Sequence, residues 1–270
     1  MAIVKRDIHF DLSNAPRFWC GGDKIATAFF NSLSVCLPHA ERYIIRSVMA
    51  FRSNIDSQSL IDDIAGFKTQ EAIHTREHQN YNDQLRSLGY DVDGLEKAQK
   101  NTLDWFENSF GRKRNLAITA CMEHFTSILA EAVLSRPELL ADADPGFRDI
   151  WEWHALEEVE HSSVSFDVLQ EVRSGYFYRC STMLIATFEF VKLINRNFGS
   201  LLRADRNVGD RKGVLSVLNF LFGQPGFIRA LILPYFAFFR PGFHPAEAKN
   251  KENLKRIQLV LEQRMVQQAA

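Results

Sequence analysis

The sequence predicts an all-α fold, a four-helix bundle with a helical C-terminal extension. Three observations carry this: two Glu-x-x-His tetrads, a lone Glu upstream of each, and long stretches with apolar residues at helical spacing. The tetrads run from Glu71 to His74 and from Glu158 to His161, and the lone residues are Glu41 and Glu123. A Glu and a His three positions apart share one helix face, so each tetrad can offer a carboxylate oxygen and an imidazole nitrogen to one ion. Two helices giving Glu-x-x-His and two giving one Glu complete the ligand set of a carboxylate-bridged metal pair inside a bundle. A single tetrad arises by chance about once in a chain of this size, so the weight lies on the doubled pattern.

The first helix is expected to start near Asp23 and to be kinked or interrupted at Pro38, because proline removes a backbone donor and clashes with the preceding turn. Beyond Pro38, Ile44, Ile45 and Val48 follow Glu41 at helical spacing and turn it inward. The second helix has Ser57 as N-cap, no proline over 58–88, and Gly89 as its stop. The Glu71 face carries Ile64, Phe67, His74, His78 and Leu85. Polar groups on such an inward stripe must be paired or metal-bound, since unpaired burial costs several kcal/mol.

The Glu123 face carries Leu116, Thr119, Ala120, Ser127, Ala130 and Leu134, and its small side chains leave space for a substrate. His124 and Glu131 sit off its centre and read as polar flank. Asp144-Pro145 opens the next helix as N-cap and first helical residue. Its Glu158 face runs through Phe147, Trp151, His154, His161, Ser165, Val168 and Leu169. His78 and His154 are each either additional ligands or hydrogen-bonding supports of the ligands.

The duplicated spacing resembles the signature of ferritin-like di-iron carboxylate proteins, among which arylamine N-oxygenases are similar in carrying extra His ligands. Further segments resemble a bacterial family described as predicted metal-dependent hydrolases, over about residues 6 to 245. They are Phe10-Asp11-Leu12-Ser13, Pro16-Arg17-Phe18-Trp19, Gln70-Glu71-Ala72-x-His74, and Trp153 to His161. The superfamily resemblance implies bridging roles for Glu71 and Glu158, terminal roles for Glu41 and Glu123, and one ion each for His74 and His161. It also places Gln70 and Glu157 where members keep partners of the His ligands. Many members have Asp there, so Gln70 departs from the pattern. Glu157 lies four residues before His161 and stays an alternative to Glu158 as the ligand.

With 270 residues, 46% hydrophobic content and a formal charge of −1, the chain can bury one large core and has no bulk electrostatic reason to bind nucleic acid. The first residues lack a secretory apolar region, and Cys20, Cys36, Cys121 and Cys180 form no Cys-x-x-Cys pair, which points to the cytoplasm. Two regions are expected: a metal-binding bundle over 1–175 and a Phe-rich extension over 176–270. Residues 214–239 are nearly all apolar, with Arg229 their only charge. Gly223, Pro225, Gly226 and Pro234 cut this run into pieces too short to span a bilayer. Core helices, an interfacial hairpin at a membrane and a lid over an apolar pocket all fit it. Leu254, Ile257, Leu261 and Met265 form an amphipathic stripe suited to the bundle or to a second copy in a homodimer.

The expected cofactor is two transition-metal ions, iron first, with manganese and zinc as alternatives for the same donors. The expected activity is oxygen-dependent oxidation of a small apolar substrate, fed by an electron donor. Hydrolysis by a metal-activated water and metal binding without turnover are the alternatives.

Overall fold

The computed structural model describes residues 3–205, 211–248 and 258–259, and among these the regular structure is helical apart from an isolated bridge between Cys20 and Ala143. The amphipathic stripe of Leu254, Ile257, Leu261 and Met265 falls outside the described residues.

Helix α1 (Lys24–Met49) is capped by Asp23, whose side chain accepts from the amides of Ile25 and Ala26. It runs unbroken through Pro38, where a kink or interruption was expected. Proline leaves the carbonyl four residues earlier, that of Ser34, without its helical donor. Asn82 Nδ2 fills that role at 3.3 Å from across the bundle, so the helix continues and Glu41 points inward.

Helix α2 (Gln58–Ser87) begins at Ser57, which caps Leu60, and ends ahead of Gly89 in the left-handed region at φ 84°. Helix α3 (Val92–Ser109) then packs along α1. Helix α4 (Arg112–Leu134) is followed by α5 (Pro145–His161), capped by Asp144. The Glu158 face does not continue in one helix to Leu169: a break at Ser162 and Ser163 separates α5 from α6 (Val164–Glu171). The bundle is closed by the α1–α2 and α4–α5 pairs, with α1 against α4 and α2 against α5 and α6.

The C-terminal helices lie on this bundle. Helix α7 (Tyr176–Ala204) crosses α1 and α4, α9 (Phe227–Ala237) rests on α4, and α8 (Arg211–Phe222) contacts α9 and α1. Helix α4 is the one single helix apolar and long enough to cross a membrane among the described residues, and it is mostly buried in the bundle.

The segment before α1 is tied down along α2. Gly66 makes room for it: a Cβ there would meet the Ile3 side chain at 2.9 Å. Gly146 does the same at the start of α5, where a Cβ would stand 2.5 Å from the Asp11 carbonyl oxygen. Arg76 adds hydrogen bonds to Asp7 and to the Ile8 carbonyl. This seating carries Arg6 into the bundle.

Candidate metal centre

Helices α2 and α5 bring their tetrads face to face. Ligand atoms of Glu71, His74, Glu158 and His161 all lie within 4.8 Å of one another, and all four residues are buried. A second group with the same limit joins Glu41 from α1 to His74 and His154. Glu123 from α4 falls outside both groups but touches the first, with Oε2 3.1 Å from His161 Nδ1. His161 Nε2 faces Glu71 at 3.3 Å and Glu158 at 3.8 Å. Phe67 and Trp153 stand edge-on to His161 and His74 and shield the two sides of the cluster.

The two alternatives for the α5 acid separate cleanly in space. Glu158 sits in the cluster, with Oε1 3.5 Å from His74 Nδ1. Glu157 turns to the other side of His74 and meets Nε2 at 3.0 Å. Its second oxygen accepts from Arg6 at 3.1 Å, and Arg6 also grips Glu160 at 2.8 and 2.6 Å. Gln70 does not reach an imidazole: its amide donates to Glu160 at 3.0 Å and to the Val4 carbonyl at 2.9 Å. A neutral donor suits that place, because an acid there would oppose the Glu160 carboxylate. Sequence reasoning passes over Arg6 and Glu160; the available signal was the acidic pair flanking Val159 on an otherwise buried helix.

His78 and His154 belong to a hydrogen-bonded row whose polarity can be read from its far end. Asn82 donates through Nδ2 to the Glu96 carboxylate at 3.0 Å, so its oxygen faces Ser34 and accepts the hydroxyl proton at 3.0 Å. The Ser34 oxygen is then left to accept from His78 Nδ1, also at 3.0 Å. A neutral His78 presents a lone pair at Nε2, which takes the Nδ1 proton of His154 at 3.0 Å. Burial pushes both imidazoles toward the neutral form, His154 down to about 4. His154 Nε2 is therefore a bare acceptor opposite Glu158 Oε1, 3.2 Å away. Two acceptors at that distance call for a cation.

The rest of the cluster has the same character. Both oxygens of Glu41 and of Glu71, one of Glu123 and of Glu158, His74 Nδ1 and His161 Nε2 are buried without a hydrogen-bond partner. Each would destabilise the fold by about 1–3 kcal/mol or more if left so. Burial, then the charges of Glu123 and Glu158, holds Glu71 well above the ordinary carboxylate range. Burial likewise pushes Glu41 up to about 8. Burial would raise Glu158 too, but His161, His154 and His74 outweigh it and hold it well below that range. Burial disfavours a charged His74, yet Glu157 and Glu158 raise it to about 10. Acidic oxygens and imidazole nitrogens crowded this closely, holding protons in place of a metal ion, fit divalent transition metals, which would displace those protons.

A narrow apolar cavity of about 60 Å³ reaches this centre at His154. Its walls include Phe30 and Leu33 of α1, Ala130 and Val133 of α4, Phe190 of α7 and Phe227 of α9. The small residues of the Glu123 helix thus do border a void, through Ala130. His124, expected as polar flank, is instead buried against Phe238 and Phe243, and burial lowers it to about 4.

Fold and site together define an all-α bundle with a buried Glu and His cluster able to hold metal. The chain belongs to the family described as predicted metal-dependent hydrolases, whose model matches residues 4–249. No curated protein and no solved structure matches it.

Proposed function

We propose that the protein is a dinuclear iron enzyme that oxidises a small apolar substrate with dioxygen, drawing electrons from a separate donor. The observation that carries this reading is the meeting of the unpartnered ligand atoms with a cavity whose walls are almost wholly apolar. In a metal pair, Glu71 and Glu158, clustered with both imidazoles, would serve both ions, with Glu41 and His74 holding one and Glu123 and His161 the other. His154 adds a third imidazole on the Glu41 side. When bound, the metal pair supplies the redox chemistry. The chain does the rest. Glu157 and Arg6 hold the ring of His74 in one orientation, and the row from Glu96 to His78 keeps a lone pair on His154 Nε2. Phe30, Leu33 and Phe227 exclude water and select for hydrocarbon surface.

Hydrolysis is the second reading, and the family description favours it. The same ligand set would serve a metal-activated water. Against it, the cavity walls offer little to bind a polar scissile group beyond Thr126 and His154.

Dioxygen uptake separates the two. The iron(II)-loaded protein is expected to consume dioxygen faster when medium-chain hydrocarbons or aromatic amines are added, and to be inert without air. Cleavage of nitrophenyl esters by the zinc-loaded protein under nitrogen, at a rate lost in Glu71→Ala, would replace this reading with hydrolysis.

A further inference from the structure

The C-terminal helices present an apolar face to solvent. On α7, Phe177, Leu184 and Phe188 are 84, 61 and 67% exposed, and their spacing sets them along one side of the helix. On α9, Leu233 and Phe236 are 82 and 60% exposed, and Leu215 on α8 is 54% exposed. The three helices are neighbours: α8 packs on α9, and Thr187 of α7 meets the Tyr235 hydroxyl of α9 at 2.9 Å. Most of the exposed large apolar side chains among the described residues stand on these helices. A folded surface rarely keeps so many together without something to cover them.

Charge identifies what covers them. Residues 1–175 carry 18 Lys and Arg against 27 Asp and Glu, whereas residues 176–246 carry nine against three. Between 211 and 246 there is no acid, and Lys212, Arg229 and Arg240 are exposed there, Arg240 standing 3.9 Å from Glu247 just beyond. By sequence the near-neutral chain thus divides into an acidic N-terminal part and a basic, apolar C-terminal part, with exposed Lys212 and Arg229 on the helices that carry the apolar face. We propose that the α7–α9 face docks on the surface of an anionic lipid bilayer, its apolar side chains entering the boundary region and its basic residues meeting the headgroups. Neither α8 nor α9, with 12 and 11 residues, reaches the ~20 residues a crossing helix needs, and the 40° bend at their junction suits a pair lying at the surface. A two-fold dimer through this face would set one basic surface against its copy, a repulsive arrangement. Phe190 and Phe227, from α7 and α9, also wall the cavity that reaches His154, so a docked face would put the cavity beside lipid. Use of that route by a substrate rests on the oxidase reading; the docking itself does not.

The test is sedimentation of the full chain with vesicles of phosphatidylcholine, alone or mixed with phosphatidylglycerol. The protein is expected to pellet with the mixed vesicles and to be released by salt. Leu233→Ser with Phe236→Ser should weaken binding by about tenfold or more. Lys212→Glu with Arg229→Glu should remove the preference for the anionic lipid. Both side-chain pairs are exposed, so thermal midpoint and metal content should hold in each variant. Failure to pellet with either vesicle would overturn the proposal. Binding that neither variant changes would do so too, as would a dimer in sedimentation velocity that the Leu233 and Phe236 changes dissociate, which would assign the face to self-association.

Discussion

Glu157 accepts from His74 at 3.0 Å, and this bond reaches from one tetrad helix to the other. It presents Nδ1 of His74 to the cluster and leaves Glu158 free to serve there. Its strength as an orienting contact depends on Arg6, which balances the buried charge of Glu157.

Arg6→Ala should therefore damage both stability and metal uptake. It leaves Glu157 and Glu160 buried without their cation, a loss of about 3–5 kcal/mol in urea unfolding. Metal affinity should fall by about 10–100-fold, as for other partners of ligating His residues. Unchanged affinity by isothermal titration would show that Glu157 does not orient His74.

Glu71→Ala should remove most of the bound metal, measured by elemental analysis, since in the proposed dinuclear centre this carboxylate would serve both ions. Two ions per chain are expected in the unaltered protein. Glu107→Ala, which breaks only a surface pair with Arg46, should keep full metal content. Equal losses in both would trace the effect to unfolding.

Ser34→Ala tests the row that ends at His154. It removes the acceptor of the His78 proton, so His154 no longer holds its Nδ1 proton in place. Metal affinity should drop by about tenfold, and the cobalt(II) visible spectrum should change, with little change in secondary structure. An unaltered spectrum would remove His154 from the ligand set.

The metal-free protein should lose stability as pH rises from about 6.5 to 8. In that window folded Glu41 and His74 hold protons that the unfolded chain gives up, because their folded values are near 8 and 10. Raised values give stability that disappears as pH climbs. The lowered His154, at about 4, and the lowered His78 act in the opposite sense. They do so only while the unfolded imidazoles lose their protons near the lower edge of the window, so the loss from Glu41 and His74 prevails. Metal-loaded protein, its carboxylates compensated, should be flat across it. Thermal midpoints of both forms at three pH values decide.

The ligand helices were readable because Glu and His interrupt apolar stripes at a fixed period, and Ser57 and Asp144 mark helix starts by their side-chain chemistry. The continuity of α1 was not readable. It depends on Asn82, 48 positions after Ser34, and no local rule reports a donor arriving from another helix. The break after His161 has neither Gly nor Pro to announce it. Helix α3 was not anticipated, because it carries none of the ligand candidates, although Val92, Leu95, Leu103 and Phe106 at helical spacing behind Asp91 mark it. Arg6 lay beyond local reasoning, since its partners are more than 150 positions away.

That separation has a consequence for how the protein is made. Arg6 leaves the ribosome well before the acids that hold it, which arrive 151 and 154 positions later. The first tetrad must therefore wait, with Glu71 and His74 already synthesised, until α5 has emerged and docked. A half-made chain offers an ion two or three loose donors, for which the tightest-binding metals win by affinity alone. Only the finished bundle imposes number and geometry. The long reach from residue 6 to residue 160 thus ties assembly of the cluster to the docking of α5, so that a metal would meet its full set of donors only in the folded bundle.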